Sequence, residues 1–574
     1  MPTENLTYTL HELLVQRNSR LRIPSYQRAY TWDKDEWQVF ADDLLEQATS
    51  VYAHENNYYL GHFLFEPERD KRIGLIDGQQ RLTTAMLFTA AVLFQLPSQT
   101  NDLYQQGKLL LMEGITPRLE VVSYDQQVFE RLLQRAIRRE RKIVDGRTTN
   151  AQSKMARAID FFVEWLKGQV GDTGPQLLDD LLRTLLRAQV TTYTVVDAKQ
   201  AAQLFELQND RGRTLTDVEK LKSYLIYQLH LKMPAGDAEN AINQVHRHFE
   251  TIFRSTPNIT GLSEDDLLRY YFYAQHGGYR NEPVLQVLKN QVKTGELSAY
   301  AILDFSEQLS SAFEFVSSFQ KKGRHESVDN LLMLKSYPNV IYPFLLRGYF
   351  QLHADSATAD IWPAMVQLSG VLEKLVFRLA LVGTRARIID RLRWLLINLP
   401  LDALTFEQQL AEAMEGSGYW SNQALLESLQ RLSYTDRSVA HYLLWQYERS
   451  LQKKGYTLTV SDVNLNELEH IAPQTENPGR RTGYERYHET KFHQAHRDLL
   501  GNLLLITRSH NGSIGNIPFA DKLTSYQDTP LAQQREILRM FKKDEPQLWG
   551  LKQIVQRHIK LVEWATDRWR FKEA

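Results

Sequence analysis

Up to about residue 125 the hydrophobic pattern alternates between two periods. Leu21-Arg22-Ile23-Pro24, Tyr58 to Phe65 and Arg72 to Ile76 are short runs rich in strand-forming residues and bounded by breakers, which predicts strands, while Leu82 to Leu96 reads as an apolar helix. From about 126 to 460 apolar residues recur every three or four positions, as in Leu221, Leu225, Ile226 and Leu229, with breaks at Gly171-Asp172-Thr173-Gly174-Pro175 and Pro234-Ala235-Gly236-Asp237. This predicts a helical scaffold. Thr191 to Val196 is the exception: its β-branched residues predict a strand added to the first domain's sheet. Further on, Thr457-Leu458-Thr459-Val460 and Leu503-Leu504-Leu505-Ile506 predict short strands flanking a polar loop, and helices rich in Trp and Arg close the chain. The predicted fold class is α+β, predominantly helical.

A chain of 574 residues is long enough for several domains, and its 43% hydrophobic and 24% charged residues are those of a protein folded throughout. The formal net charge of −1 means that any nucleic-acid contact must come from local basic patches. With no cysteine, disulfides, thiolate zinc sites, iron–sulfur clusters and a Cys nucleophile are excluded, and a reducing compartment is expected. The first residues lack a signal-peptide pattern, and Leu82 to Leu96, interrupted by Thr83, Thr84, Thr89 and Gln95, is too short to cross a bilayer. The expectation is a cytoplasmic protein with no membrane role.

Two constellations carry candidate chemistry. In the first, the strand ending at Ile76 runs into Asp77-Gly78-Gln79-Gln80-Arg81 and directly into the apolar helix. The free N–H groups of such a helix start attract anions, and Arg81 with Thr83 or Thr84 would add a guanidinium fork and a hydroxyl for phosphate. A turn, a surface ion pair and helix caps account for the same residues without a ligand, although so many polar groups against a buried helix are costly. Upstream, Ile23 to Trp32 mixes Tyr26, Tyr30 and Trp32 with Gln27 and Arg28, a composition suited either to a nucleotide base and its phosphates or to a core with one snorkelling arginine.

In the second constellation, Glu469-His470-Ile471-Ala472-Pro473 is followed by Gly501-Asn502-Leu503, Asn511, Gly515-Asn516 and Phe519. A nuclease using one metal needs a neutral His to deprotonate water, an amide or carbonyl to orient it, and oxygen or nitrogen ligands for a hard cation. All three residue types are present, though a Glu-His pair alone is commonly a surface or capping pair.

The run Ile23-Pro24-x-Tyr26-Gln27-Arg28-x-Tyr30-x-Trp32, with Tyr59-Leu60-Gly61 and Asp77-Gly78-Gln79-Gln80-Arg81-Leu82-Thr83-Thr84, resembles the N-terminal domain of GmrSD-type proteins, a ParB/sulfiredoxin-like fold. Phe205-x-x-x-Asn209-x-x-Gly212-x-x-Leu215-Thr216-x-x-Glu219-Lys220 is similar to a third family element, and Thr216 to Glu219 also fits a capping box. Glu469-His470-Ile471-x-Pro473, Asn502-Leu503 and Asn511 resemble the His-Me finger (HNH) nuclease, a ββα-metal fold, in the variant fused to that domain.

The resemblance implies a type IV restriction endonuclease acting in bacterial phage defence. Its N-terminal site would bind or hydrolyse a nucleoside triphosphate (GTP, ATP or another) through Gln27, Arg28, Asp77, Gly78, Gln79, Gln80, Arg81 and Thr83, and would sense modified DNA. In its C-terminal finger His470 is implied as general base, Asn502 as the residue that orients it, and Glu469 with Asn511, or Asn516 in its place, as ligands of Mg²⁺ or Mn²⁺. With no cysteines to hold a zinc, the finger is expected to be supported by surrounding helices, Trp564 and Trp569 included. The alternative is a nucleoside triphosphatase whose finger binds DNA without cutting it.

The organisation that follows is a nucleotide-binding and sensing domain over 1–230, a helical connector over 231–364, and a helical nuclease domain over 365–574 with its finger at about 457–525. Arg480, Arg481, Arg486, Lys491 and Arg497 lie between the finger's motifs and are candidate DNA contacts, whereas Arg131, Arg135, Arg138, Arg139, Arg141, Lys142 and Arg147 fit a solvated helix face at least as well. Of His488, His493, His496 and His510, His493 and His496 are three apart without a matching carboxylate pattern, so zinc is not expected. The expected partners are double-stranded DNA, modified phage DNA above all, and a nucleotide, with a homodimer allowed.

Overall fold

The computed structural model describes residues 6–25, 27–50, 57–67, 72–97, 101–140, 149–194, 216–277, 283–294, 298–321, 325–334, 336–355, 360–383, 388–416, 418–452, 458–459, 462–475, 482–485, 490–507, 516–541 and 547–572. It is predominantly helical with a small mixed sheet, the α+β class that the patterning predicts. The chain forms two compact units, one from Met1–Arg269 and Asn281–Lys321, the other from Tyr270–Arg280 and Lys322–Ala574. No helix among the described residues is long and apolar enough to cross a membrane.

The first unit is built on a six-stranded sheet of β1 (Leu6–Thr9), β2 (Leu21–Arg22), β3 (Tyr59–Pro67), β4 (Ile73–Asp77), β5 (Leu119–Glu120) and β6 (Gln189–Thr194), in the order β1-β6-β3-β4-β2-β5. The predicted strand at Thr191 is β6, which lies between β1, antiparallel, and β3, parallel. The helix Gln79–Gln95 leaves β4 directly and is buried on nearly every side, so it behaves as the axis of this core. Two of its hydroxyls are satisfied within the helix: Thr84 and Thr89 donate to the carbonyls of Gln80 and Ala85, each at 2.8 Å.

In the second unit β7 (Val463–His470) pairs antiparallel with β8 (Leu503–Thr507), with Leu503 opposite His470 and Leu504 opposite Glu469, and the helix Phe519–Ser525 follows. Leu468, Leu503 and Leu505 share one apolar cluster with Trp569, whose ring stacks on Phe377 at 3.8 Å, while Trp564 packs against the cluster's edge. The helical support expected from Trp564 and Trp569 is therefore in place. Of the strand predicted at Thr457–Val460, Thr457 and Val460 lie outside the described residues, Leu458 and Thr459 are outside any strand, and β7 begins at Val463. The local cause is a turn in which the Thr459 N–H and hydroxyl both donate to the Asp462 carboxylate, at 2.8 and 2.7 Å, capturing backbone that a strand would need.

Candidate functional site

The β4-to-helix turn depends on two glycines. Gly78, at the helix N-cap, has φ +94°, and a Cβ there would stand 2.5 Å from the Phe63 ring. Gly61 on β3 has φ +112°, and a Cβ there would fall 1.8 Å from Arg81 Nη1. That close approach lets the Arg81 guanidinium reach the carbonyls of Leu60 (3.2 Å) and His62 (2.9 Å) and the Asp77 carboxylate (3.3 Å). Arg81 thus ties the turn to β3.

Gln80 is similarly engaged. Its Oε1 accepts from the Thr31 N–H at 2.8 Å and its Nε2 donates to Ala29 O at 3.0 Å, so the segment carrying Gln27 and Arg28 is fixed against the helix start. Beneath it, the Tyr30 hydroxyl is joined to Thr84 Oγ1 at 2.8 Å and accepts from Trp37 Nε1 at 2.9 Å. Thr83 is buried in the helix, and Arg28 and Glu219, both half-buried, lie within electrostatic reach of each other.

Two amides stand apart. Among the described residues, fully buried Gln27 has no hydrogen-bond partner for its Nε2 or its Oε1, and buried Gln79 has none for its Oε1. Leaving such groups unpaired costs about 1–3 kcal/mol each, so polar atoms of this kind fit a site that receives a polar ligand. The expected capping box is formed, with Thr216 Oγ1 accepting from Glu219 N (3.1 Å) and Glu219 Oε2 from Thr216 N (2.9 Å). Asn209, Gly212 and Leu215 lie outside the described residues.

In the second unit His470 ends β7 and Asn502 immediately precedes β8. Asn502 is fully buried and makes four hydrogen bonds: Oδ1 accepts from Ala472 N and Trp549 Nε1, both 2.9 Å, while Nδ2 donates to Ala472 O (3.0 Å) and Arg497 O (2.7 Å). It therefore holds the backbone on either side of the site and does not touch the His470 ring. The residue on the ring is Asp498, which sequence reasoning missed: its Oδ1 is 3.0 Å from His470 Nε2, and Arg497 grips the same carboxylate at 3.2 and 2.8 Å.

Tyr434 packs on the imidazole with centroids 4.5 Å apart. Burial lowers the His470 pKa to about 4, against the opposing pull of Asp498, so the ring is neutral at pH 7.

Glu469 is paired with Lys522, which has no solvent exposure and also donates to His470 O at 2.7 Å. Burial raises the Glu469 pKa while Lys522 pulls it down, and burial lowers that of Lys522. Of the other expected ligands, Asn511 lies outside the described residues and Asn516 is exposed on the turn before the helix Phe519–Ser525. Among the described residues no group of three His, Cys, Asp or Glu is placed to hold a metal ion. The donors described do not by themselves fit a divalent cation, because the one carboxylate in the expected set is already neutralised.

Arg480, Arg481 and Arg486 are outside the described residues, Lys491 lies on the helix Thr490–Ala495, and Arg497 is bound to Asp498. Of the earlier basic run, Arg135 pairs with Asp160 and Arg139 donates to Leu96 O. Sequence reasoning also passed over Arg557, whose buried guanidinium donates to the carbonyls of Leu500 (3.2 Å), Gly501 (2.9 Å) and Leu503 (2.7 Å) and holds the turn that carries Asn502. No periodic signal marks such contacts, since they join elements far apart in the chain.

Residues 10–226 match the family model described as the GmrSD restriction endonuclease N-terminal domain, and residues 421–564 match the one for the GmrSD restriction endonuclease C-terminal domain. No curated protein matches the chain. The two matches together span more than half of the chain and contain both constellations in the family's order, and the chain belongs to the GmrSD restriction endonuclease family.

Proposed function

We propose that this chain is a type IV, modification-dependent DNA endonuclease of phage defence, in which the first unit binds or hydrolyses a nucleoside triphosphate and thereby regulates cutting in the second. The observation that carries the nuclease reading is His470: a buried, neutral imidazole with one nitrogen on a carboxylate and the other free of hydrogen bonds among the described residues. In the reaction, the free nitrogen removes a proton from water as the water oxygen bonds to phosphorus and the P–O bond to the leaving strand breaks. General-base catalysis of this kind contributes typically 10²–10⁴-fold.

Family resemblance implies Mg²⁺ or Mn²⁺ as the ion at the scissile phosphate. For the nucleotide, GTP or ATP in the first instance, the unpartnered amide of Gln27, the unpartnered Oε1 of Gln79 and the free N–H groups at the start of helix Gln79–Gln95 are the groups that would hold it. A triphosphate supplies a hydrolysable anhydride, and the chain's own residues orient it.

One observation favours the alternative, a triphosphatase whose finger binds DNA without cutting: the only expected acidic ligand, Glu469, is occupied by Lys522. Cleavage of matched unmodified and phage-modified double-stranded DNA, with and without triphosphate and in Mg²⁺ or EDTA, separates the two. Cutting confined to modified DNA and abolished by EDTA supports the leading reading. Triphosphate turnover without cutting under any condition supports the alternative.

A further inference from the structure

Which nitrogen of a neutral histidine can take a proton is fixed by whatever holds the proton on the other. Around His470 the structure provides an anchored holder. Asp498 Oδ1 lies 3.0 Å from Nε2, and an ionised carboxylate can only accept, so the hydrogen of this bond resides on the ring. Asp498 itself is not a loose surface acid. Arg497 binds it through Nε to Oδ1 at 3.2 Å and through Nη2 to Oδ2 at 2.8 Å.

The backbone around Asp498 is fastened on three sides. Arg497 O accepts from the Asn502 amide at 2.7 Å, Asp498 O accepts from Tyr434 N at 2.8 Å, and Leu499 bridges to Ser433. The segment that supplies those last two contacts also places the Tyr434 ring on the imidazole, centroids 4.5 Å apart and planes inclined by 58°, which limits rotation of the histidine. Nδ1 has no hydrogen-bond partner among the described residues.

We propose that Asp498 is a positioning residue: held by Arg497, it fixes His470 as the Nε2–H tautomer and so assigns proton removal to Nδ1. Asn502 then acts on the backbone that carries Asp498 and Ala472, one step further from the ring. The assignment of a catalytic proton transfer rests on the nuclease function proposed above, whereas the tautomer does not, and the test keeps the two apart.

The test is ¹⁵N NMR of the full chain with ¹⁵N-labelled histidine at pH 7, the His470 signals being identified by their loss in His470→Gln, together with kcat and KM for DNA cleavage in wild type, Asp498→Ala and Asp498→Glu. The expected result is an Nε2–H ring in wild type and mixed tautomers in Asp498→Ala. With them go a fall in kcat of roughly 10- to 100-fold, by analogy with loss of the hydrogen-bond partner of a metal-ligating histidine, little change in KM, and partial recovery in Asp498→Glu. An Nδ1–H ring in wild type overturns the proposal, as does an Asp498→Ala protein with the wild-type tautomer and kcat. If Asp498→Ala fails to fold, the wild-type tautomer and the Asp498→Glu protein decide. If wild type cuts no DNA, the nuclease reading fails while the spectra still judge Asp498.

Discussion

Asn502 and Ala472 are joined by a two-way amide clip, Oδ1 accepting the Ala472 N–H at 2.9 Å and Nδ2 donating to Ala472 O at 3.0 Å, across thirty positions of sequence. Replacing Asn502 by Ala leaves buried backbone groups and the Trp549 indole unpaired. An overall loss of about 3 kcal/mol is expected, since unpaired buried groups cost roughly 1–3 kcal/mol each and are not additive. Asn502→Asp keeps the acceptor and loses both donated bonds, so its urea midpoint should fall by at least as much, given the added buried charge.

The close approach of Gly61 to Arg81 gives a second expectation. With φ at +112° and its Cβ position 1.8 Å from Arg81 Nη1, Gly61→Ala strains the backbone and displaces the guanidinium from the Leu60 and His62 carbonyls. A destabilisation on the order of 2–4 kcal/mol is predicted, read as a lower melting temperature, together with weaker triphosphate binding. Gly61→Ala at wild-type stability would contradict this account of the turn.

Lys522 and Glu469 form an ion pair among residues that are almost wholly buried. Removing one partner leaves the other charge buried and unpaired, so Lys522→Met alone should cost about 3–5 kcal/mol, whereas Lys522→Met with Glu469→Leu should recover most of the loss. Thermal melts of the three proteins check the cycle. An additive double variant would show that the two side chains do not depend on each other.

In the first unit, burial raises the Asp125 pKa from an ordinary 3.8 to about 6, against the Thr149 hydroxyl that donates to it at 2.7 Å. Between those values the folded protein keeps a proton that the unfolded chain has released. Asp125 therefore contributes stability below about pH 4 that is lost as pH rises through 6. Asp125→Asn, which can still accept from Thr149, should remove that dependence, so that its stability relative to wild type rises by roughly 2–3 kcal/mol between pH 4 and pH 7. Chemical denaturation at the two pH values measures the difference, and a parallel pH dependence in both proteins would contradict it.

Much of this architecture was legible along the chain because it is periodic or local. The strand at Thr191, the capping box at Thr216 and Glu219, and the strand–turn–helix at Asp77 to Arg81 follow from β-branching, residue spacing and glycine placement. The sequence brought His470 and Asn502 into view, and both sit at the facing ends of two paired strands. It could not show that the Asn502 amide would turn to the backbone, that Asp498 would reach the ring, or that Arg81 would bind carbonyls, because each of those choices is made by tertiary contact. β7 was hidden for a different reason: its Val-Asn-Leu-Asn-Glu-Leu-Glu-His sequence carries too many polar positions to read as a strand until β8 lies beside it.

His470 as the base of a DNA endonuclease is tested by the cleavage rate of one phage-modified duplex by wild type and by His470→Ala, under the metal and nucleotide conditions where wild type is most active. Wild type is expected to cut the duplex, and His470→Ala to cut at least about 100-fold more slowly, with triphosphate turnover and melting temperature retained. Equal cutting by the two proteins would contradict it.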